Sequence, residues 1–180
     1  MDMLLEAIAE IRGQEIPQVD DTQVDLKLTA FIPNNYISDT DQKMSIYRSL
    51  VAADTKRELM QIVTDLNDRF GTIPAAVEQL VKMLELKQIA KPLGFAKIKP
   101  EGKQHGVMET PMEAPAWKLL HEKVPGHLKS RFVYAPGKVT VRGLGVMQPD
   151  KQLENLIEWL GYMRGALTEP ALAGSGVLRS

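Results

Sequence analysis

The sequence predicts an α+β fold: a helical cluster of three consecutive helices packed with short antiparallel strands in hairpins, closed by a C-terminal helix. Three observations carry this. Apolar residues recur at three- and four-residue steps in successive stretches between 39 and 93, the spacing of buried helix faces. Two shorter stretches, near 95–110 and 131–142, fold back around turns containing Gly or Pro, the mark of hairpins. Helix and strand signals do not alternate as they would in a doubly wound parallel sheet.

Taken in order, residues 3–12 read as an amphipathic helix with Leu4, Leu5, Ile8 and Ile11 on one side, ended by Gly13. Residues 14–22 are polar and contain Pro17, so 1–22 reads as an N-terminal helix and a linker. Val24, Leu26, Leu28 and Ala30 then alternate with Asp25, Lys27 and Thr29, the period of a strand with one wet face. Pro33 cannot donate to a ladder and Asn34-Asn35 favours a turn. Ser38 or Asp39 can cap the next helix, with Gln42 at capping-box spacing from Asp39 and with Met44, Tyr47, Leu50 and Val51 as its buried stripe.

The stretch 55–74 has the clearest boundaries. Thr55 and Glu58 have capping-box spacing, and Leu59, Ile62, Val63, Leu66 and Phe70 form one apolar stripe. Gly71 can adopt the positive φ that closes a helix, and Pro74 opens the next one. At about 100° per residue, Asp65 and Asp68 fall opposite the stripe and Arg69 on its shoulder. The third helix buries Val77, Leu80, Val81, Leu84 and Ala90, and Gly94 stops it. Hairpins follow at 95–99 with 107–110, and at 131–134 with 138–142 around Pro136-Gly137. The helix at 115–124 lies between them. Asp150 can cap a last helix with Leu153, Leu156, Ile157, Leu160 and Met163 on one face. The domain proper is thus 23–166, and the small, polar residues of 167–180 read as a disordered tail.

Composition bounds the function. An apolar fraction of 44% and a charged fraction of 25% suit a soluble globular domain. The absence of cysteine excludes disulfides, thiolate metal sites and thiol catalysis. No apolar run reaches the ~20 residues of a membrane span, and Asp2, Glu6 and Glu10 are the wrong charges for a signal peptide. A cytoplasmic location with no membrane partner is expected. The net charge of −1 hides an asymmetry. Residues 115–145 carry Lys118, Lys123, Lys129, Arg131, Lys138 and Arg142 against Glu122 alone, a possible phosphate-backbone surface and so a nucleic-acid binding alternative.

No catalytic motif emerges. There is no phosphate-binding G-x-x-x-x-G-K-[ST] loop and no G-x-S-x-G elbow, and Gly143-Leu144-Gly145 reads as a plain turn. His105, His121 and His127 lack metal-ligand spacing, and Met44 replaces the glycine that a calcium loop starting at Asp39 requires. Asp65 and Asp68, one helical turn apart, read as a solvated face. Trp117, Phe132 and Tyr134 interleave with Lys118, Arg131 and Lys138 as in a single-strand binding platform, but core packing explains them as well and is the preferred reading. No cofactor or metal site is expected, and an interaction or regulatory domain fits better than an enzyme.

Three segments together are specific: Ile32-Pro33-Asn34-Asn35-Tyr36-Ile37-Ser38-Asp39, Ile46-Tyr47-Arg48, and Asp68-Arg69-Phe70-Gly71-Thr72-Ile73-Pro74. The combination resembles the C-terminal (TRCF) regulatory domain of the bacterial transcription-repair coupling factors. Leu4-Leu5-Glu6-Ala7 and Glu158-Trp159 also fit; the likeness covers 3–165, is strongest over 30–75, and holds only in outline over 95–145. It implies a fragment of a multidomain ATP-driven DNA translocase that displaces stalled RNA polymerase and recruits the excision-repair protein UvrA. The motor's motifs are absent here, so no ATP hydrolysis is expected of this chain. It also implies a regulatory clamp: the domain packs on the UvrB-like module of the same parent protein, masks the UvrA-binding surface and restrains the motor. Carried over by motif, the interdomain contact residues are Asp65, Asp68 and Arg69, with Asp65 standing where the family commonly has a longer Glu.

Overall fold

The computed structural model describes residues 15–168. The helix expected over 3–12 lies outside the described residues, as do residues 169–180 of the tail expected over 167–180; at the start of that stretch Leu167 and Thr168 instead close the 3₁₀ segment Arg164–Thr168, and Leu167 packs against the core. Five α-helices and one five-stranded sheet make up the body: β1 (Gln23–Val24), α1 (Thr40–Ala52), α2 (Lys56–Phe70), α3 (Ala75–Ala90), β2 (Lys97–Glu101), β3 (His105–Glu109), α4 (Ala114–Glu122), β4 (Phe132–Ala135), β5 (Lys138–Val141) and α5 (Pro149–Met163). The α+β reading holds. The two expected hairpins join edge to edge in the order β1-β2-β3-β5-β4, and β1 adds on parallel to β2, so the sheet is mixed.

Two hydrophobic units form around one shared helix. The larger unit lies between one sheet face and the helices, with Phe95, Ile98, Met108, Val139, Leu120, Leu153 and Leu160 at its centre. The smaller one joins α1, α2 and the start of α3 through Ile46, Leu50, Leu59, Leu66, Val77 and Leu80. Helix α3 serves both: Val77 to Leu84 pack into the small unit and Leu86 to Ala90 into the large one, so α3 is buried on more than the single stripe read from sequence. Its end is held by two buried threonines. Thr110 Oγ1 donates to the Gly94 carbonyl at 2.6 Å and Thr22 Oγ1 to the Phe95 carbonyl at 2.7 Å. Buried hydroxyls without such partners would be costly.

Three sequence expectations are corrected. The strand read over 24–30 pairs only at Gln23 and Val24. Burial alternates as expected, with Leu26 inward and Lys27 outward, but the chain leaves the sheet there and its donors turn to α3. Thr29 N donates to Gln79 Oε1 and Phe31 N to the Ala76 carbonyl. In α1 the buried residues are Ile46 and Leu50, with Tyr47 half-buried, while Met44 and Val51 are 47% and 68% exposed. Helix α1 sits at the margin of the small unit and meets it along a narrow line. Asp150 does not cap α5; Gln148 occupies that position, Pro149 opens the helix, and Asp150 accepts a hydrogen bond from Gln79 at 2.7 Å. Asp39 does cap α1, accepting from the Asp41 amide. Gly137 takes φ 89° in the two-residue turn between β4 and β5, a conformation that favours glycine.

Candidate functional site

Helix α2 is fixed at both ends before its outer face becomes available. Thr55 Oγ1 accepts from the Glu58 amide at 3.1 Å, and Glu58 reaches back to the Asp54 amide rather than to that of Thr55. Gln88 of α3 donates to the Ala53 and Thr55 carbonyls, tying the α1–α2 joint to the shared helix. At the other end Tyr36 donates from one hydroxyl to the Leu66 and Gly71 carbonyls, and burial raises its pKa. Asn67 Oδ1 accepts from the Ile73 amide, and Gly71, at φ 88°, turns the chain away. Leu59 and Leu66 are fully buried, so the helix cannot rotate without losing its core contacts.

Its outward face carries the sequence-predicted residues. Asp65 and Arg69 pair at 3.2 Å, one turn apart, and both are about half exposed. The Arg69 guanidinium also lies 5.0 Å from the centre of the Phe70 ring. Asp68 is exposed, and its carboxylate has no partner among the described residues. Asp65 and Arg69 form one wall of a groove of about 470 Å³ between α1 and α2, with Glu58 and Gln61 beside them. Asp68 does not line it. The opposite wall is Ser45, Ser49 and Ala52 of α1, which sequence reasoning missed; the signal present was small residues at helical spacing.

Other candidates have structural roles. Trp117 and Phe132 are buried and Tyr134 donates to the Met112 carbonyl, so these aromatics are core, as preferred. The His121 imidazole Nε2 hydrogen-bonds the Lys129 carbonyl at 2.8 Å, and His105 Nδ1 accepts from the Gly143 amide at 3.0 Å. No group of metal-ligating side chains is found among the described residues. A second groove, of about 480 Å³, lies on the sheet and carries its own ion pairs: Lys99–Glu109 at 2.6 Å and Lys138–Glu101 at 3.3 Å. Hydrogen bonding to Lys99 holds the Glu109 carboxyl below its ordinary range.

The model of the TRCF domain family matches residues 26–116. The chain belongs to the TRCF domain family. It is 29% identical over 183 residues to the transcription-repair-coupling factor of Escherichia coli K12, a match covering 96% of this chain and 15% of that protein. It is 38% identical over 104 residues to the coupling factor of Staphylococcus haemolyticus, covering 57% of this chain and 9% of the relative. The chain thus spans a small part of the curated relatives it matches. A solved C-terminal domain of a transcription-repair coupling factor shares the fold, with a TM-score of 0.70 at 18% identity, covering 84% of this chain and 97% of that one. This is a TRCF domain of coupling-factor type and not a catalytic motor domain. Among the described residues no helix is long and apolar enough to cross a membrane.

Proposed function

We propose that this TRCF domain is a non-catalytic regulatory clamp within a DNA-translocating coupling factor. In this reading the α2 face carrying Asp65, Asp68 and Arg69 docks on the UvrB-like module of the parent protein, hides the surface that UvrA uses and restrains the motor until RNA polymerase is engaged on DNA. The observation that supports it best is the Asp68 carboxylate, without a partner among the described residues, on a firmly held helix, one turn from Asp65 and next to Arg69. Exposed ion pairs contribute only about 0–1 kcal/mol each. A domain tethered to its target has a high effective concentration, so a few such contacts can hold it closed and still exchange for a competitor. Arg69 is the bidentate member, since its planar fork matches a carboxylate. On docking it exchanges Asp65 for a partner acid.

The test is the parent protein carrying Asp68→Lys. The clamp reading expects stronger UvrA binding and faster ATP hydrolysis in the absence of polymerase. UvrA affinity and ATPase rate both equal to wild type, in a protein with an unaltered melting curve, would sink it.

A further inference from the structure

We propose that Arg131 and Arg142, with Lys129 beside them, form a binding site for the phosphate groups of duplex nucleic acid. The site lies on the large hydrophobic unit and does not depend on the α2 face. The two arginines stand opposite each other where the β4–β5 ladder runs out. Phe132 pairs with Val141 in register, and one step further the Arg142 amide donates to the Arg131 carbonyl at 2.8 Å. Like charges opposite one another across strands destabilise a sheet. Among the described residues neither guanidinium lies within 4.0 Å of a carboxylate. The repulsion is therefore left for an outside anion to relieve.

The Arg131 fork is oriented in advance. Arg131 donates from Nη1 to the Arg142 carbonyl at 2.7 Å and stacks with its guanidinium carbon 4.8 Å from the centre of the Trp159 ring. Arg142 donates to the Ser130 carbonyl at 3.5 Å. A guanidinium has five N–H donors, so each fork keeps several for a ligand. Holding the Arg131 fork in place beforehand reduces the entropy lost on binding. Lys129 precedes them in the 3₁₀ segment Gly126–Arg131, where its carbonyl is held by His121. The surrounding stretch has only Glu122 as an acid between 115 and 145.

The form of nucleic acid follows from what is buried. Single-strand binding uses exposed aromatic rings on which bases stack. Here Trp159, on which Arg131 stacks, and the Phe132 and Trp117 rings packed with it are each 5% exposed or less, so this cluster offers no stacking platform beside the arginines. Neither groove described above includes Arg131 or Arg142. Peptide recognition leans on anchor pockets of that kind, so an acidic protein segment fits this surface less well than a phosphodiester backbone.

The test is fluorescence anisotropy of a labelled mixed-sequence DNA duplex of about 20 base pairs titrated with the 180-residue chain between 50 and 200 mM salt. Expected is sequence-independent binding with Kd in the range of about 10⁻⁴–10⁻⁶ M, weakening as salt rises. Arg142→Glu should weaken it about tenfold and lower the log–log salt slope by about one. Arg57→Gln, an exposed charge removed from the helical unit, should leave it within twofold. Arg142 is exposed, so the variant is expected to fold; if its near-UV circular dichroism changes, Lys129→Gln replaces it with the same expectation. Absence of binding at 50 mM salt, or an Arg142→Glu variant that binds like wild type, overturns the site. Competition by polyglutamate as effective as that by unlabelled duplex overturns the nucleic-acid assignment in favour of an acidic protein partner.

Discussion

The sheet unit and the helical unit meet at α3 but treat their surfaces differently. In the sheet unit, Phe95, Ile98, Met108, Val139 and Leu153 are wholly excluded from solvent, and the groove on the sheet is laced by its own Lys–Glu pairs. The helical unit buries Leu59, Leu66 and Leu50 as completely, yet leaves Met44 and Val51 exposed and keeps an open groove walled by small α1 side chains. Both units have sound cores; the helical unit keeps an open groove between α1 and α2, while the groove on the sheet is bridged by its own ion pairs. In the proposed docking reading the anchoring lies behind the face: the Thr55 cap, the Gln88 bridge and the Tyr36 hydroxyl hold α2 in place, while Asp68 has no partner among the described residues.

This contrast can be broken or sharpened by substitution. The largest effect is expected at Phe95, at the centre of the sheet unit. Phe95→Ala should cost about 3–5 kcal/mol in denaturant unfolding and weaken both units, because α3 is common to them. Leu59→Ala should cost about 2–5 kcal/mol, with a different distribution. Hydrogen exchange should quicken in α1 and α2 while β2 and β3 keep their protection. Equal loss in the strands would show that the two units are one cooperative body. Thr55→Ala removes the α2 cap and should cost about 1 kcal/mol, again read in α2 first.

Two smaller effects separate structural charge from charge on the proposed docking face. Glu154 joins α5 to α3 by accepting from Lys82 at 3.1 Å, and this bond with that to Lys151 holds its carboxyl below the usual glutamate range. A lowered folded-state pKa stabilises above the unfolded pKa and is lost as pH falls through the folded value. Glu154→Gln should therefore lower the melting temperature slightly at pH 7, and the difference from wild type should vanish as the pH drops below the carboxylate range. Lys82 itself is pulled down by partial burial, but its hydrogen bonds to Glu154 and Glu78 outweigh this and raise it overall. At the proposed docking face, Asp65→Asn should leave stability within about 0.5 kcal/mol of wild type, the scale of an exposed i,i+4 pair.

Elements whose signals are local were legible in the sequence. The Thr55–Glu58 cap, the α2 stripe and the Pro136-Gly137 turn each depend on residues within a few positions of one another, and each stands where it was read. Features set by distant partners were not. Asp150 looked like a cap, but its partner Gln79 lies 71 positions away. The alternation at Val24 to Ala30 recorded burial correctly and hydrogen bonding incorrectly, because period two says which side is wet and not whether a strand lies alongside. Met44 and Val51 have helical spacing with Tyr47, but their exposure depends on how α1 lies against α2. The α2 half of the candidate site was readable as charges opposite an apolar stripe; the α1 wall of small serines and alanine became visible only when the helices were placed together.

The central claim is that the α2 face is a docking surface. The most direct measurement is titration of this chain with the separately purified UvrB-like module at several salt concentrations, with Asp68→Lys alongside. The account predicts saturable binding that weakens as salt rises and is lost or strongly reduced in the variant. Binding that ignores both salt and the Asp68 charge reversal would contradict it.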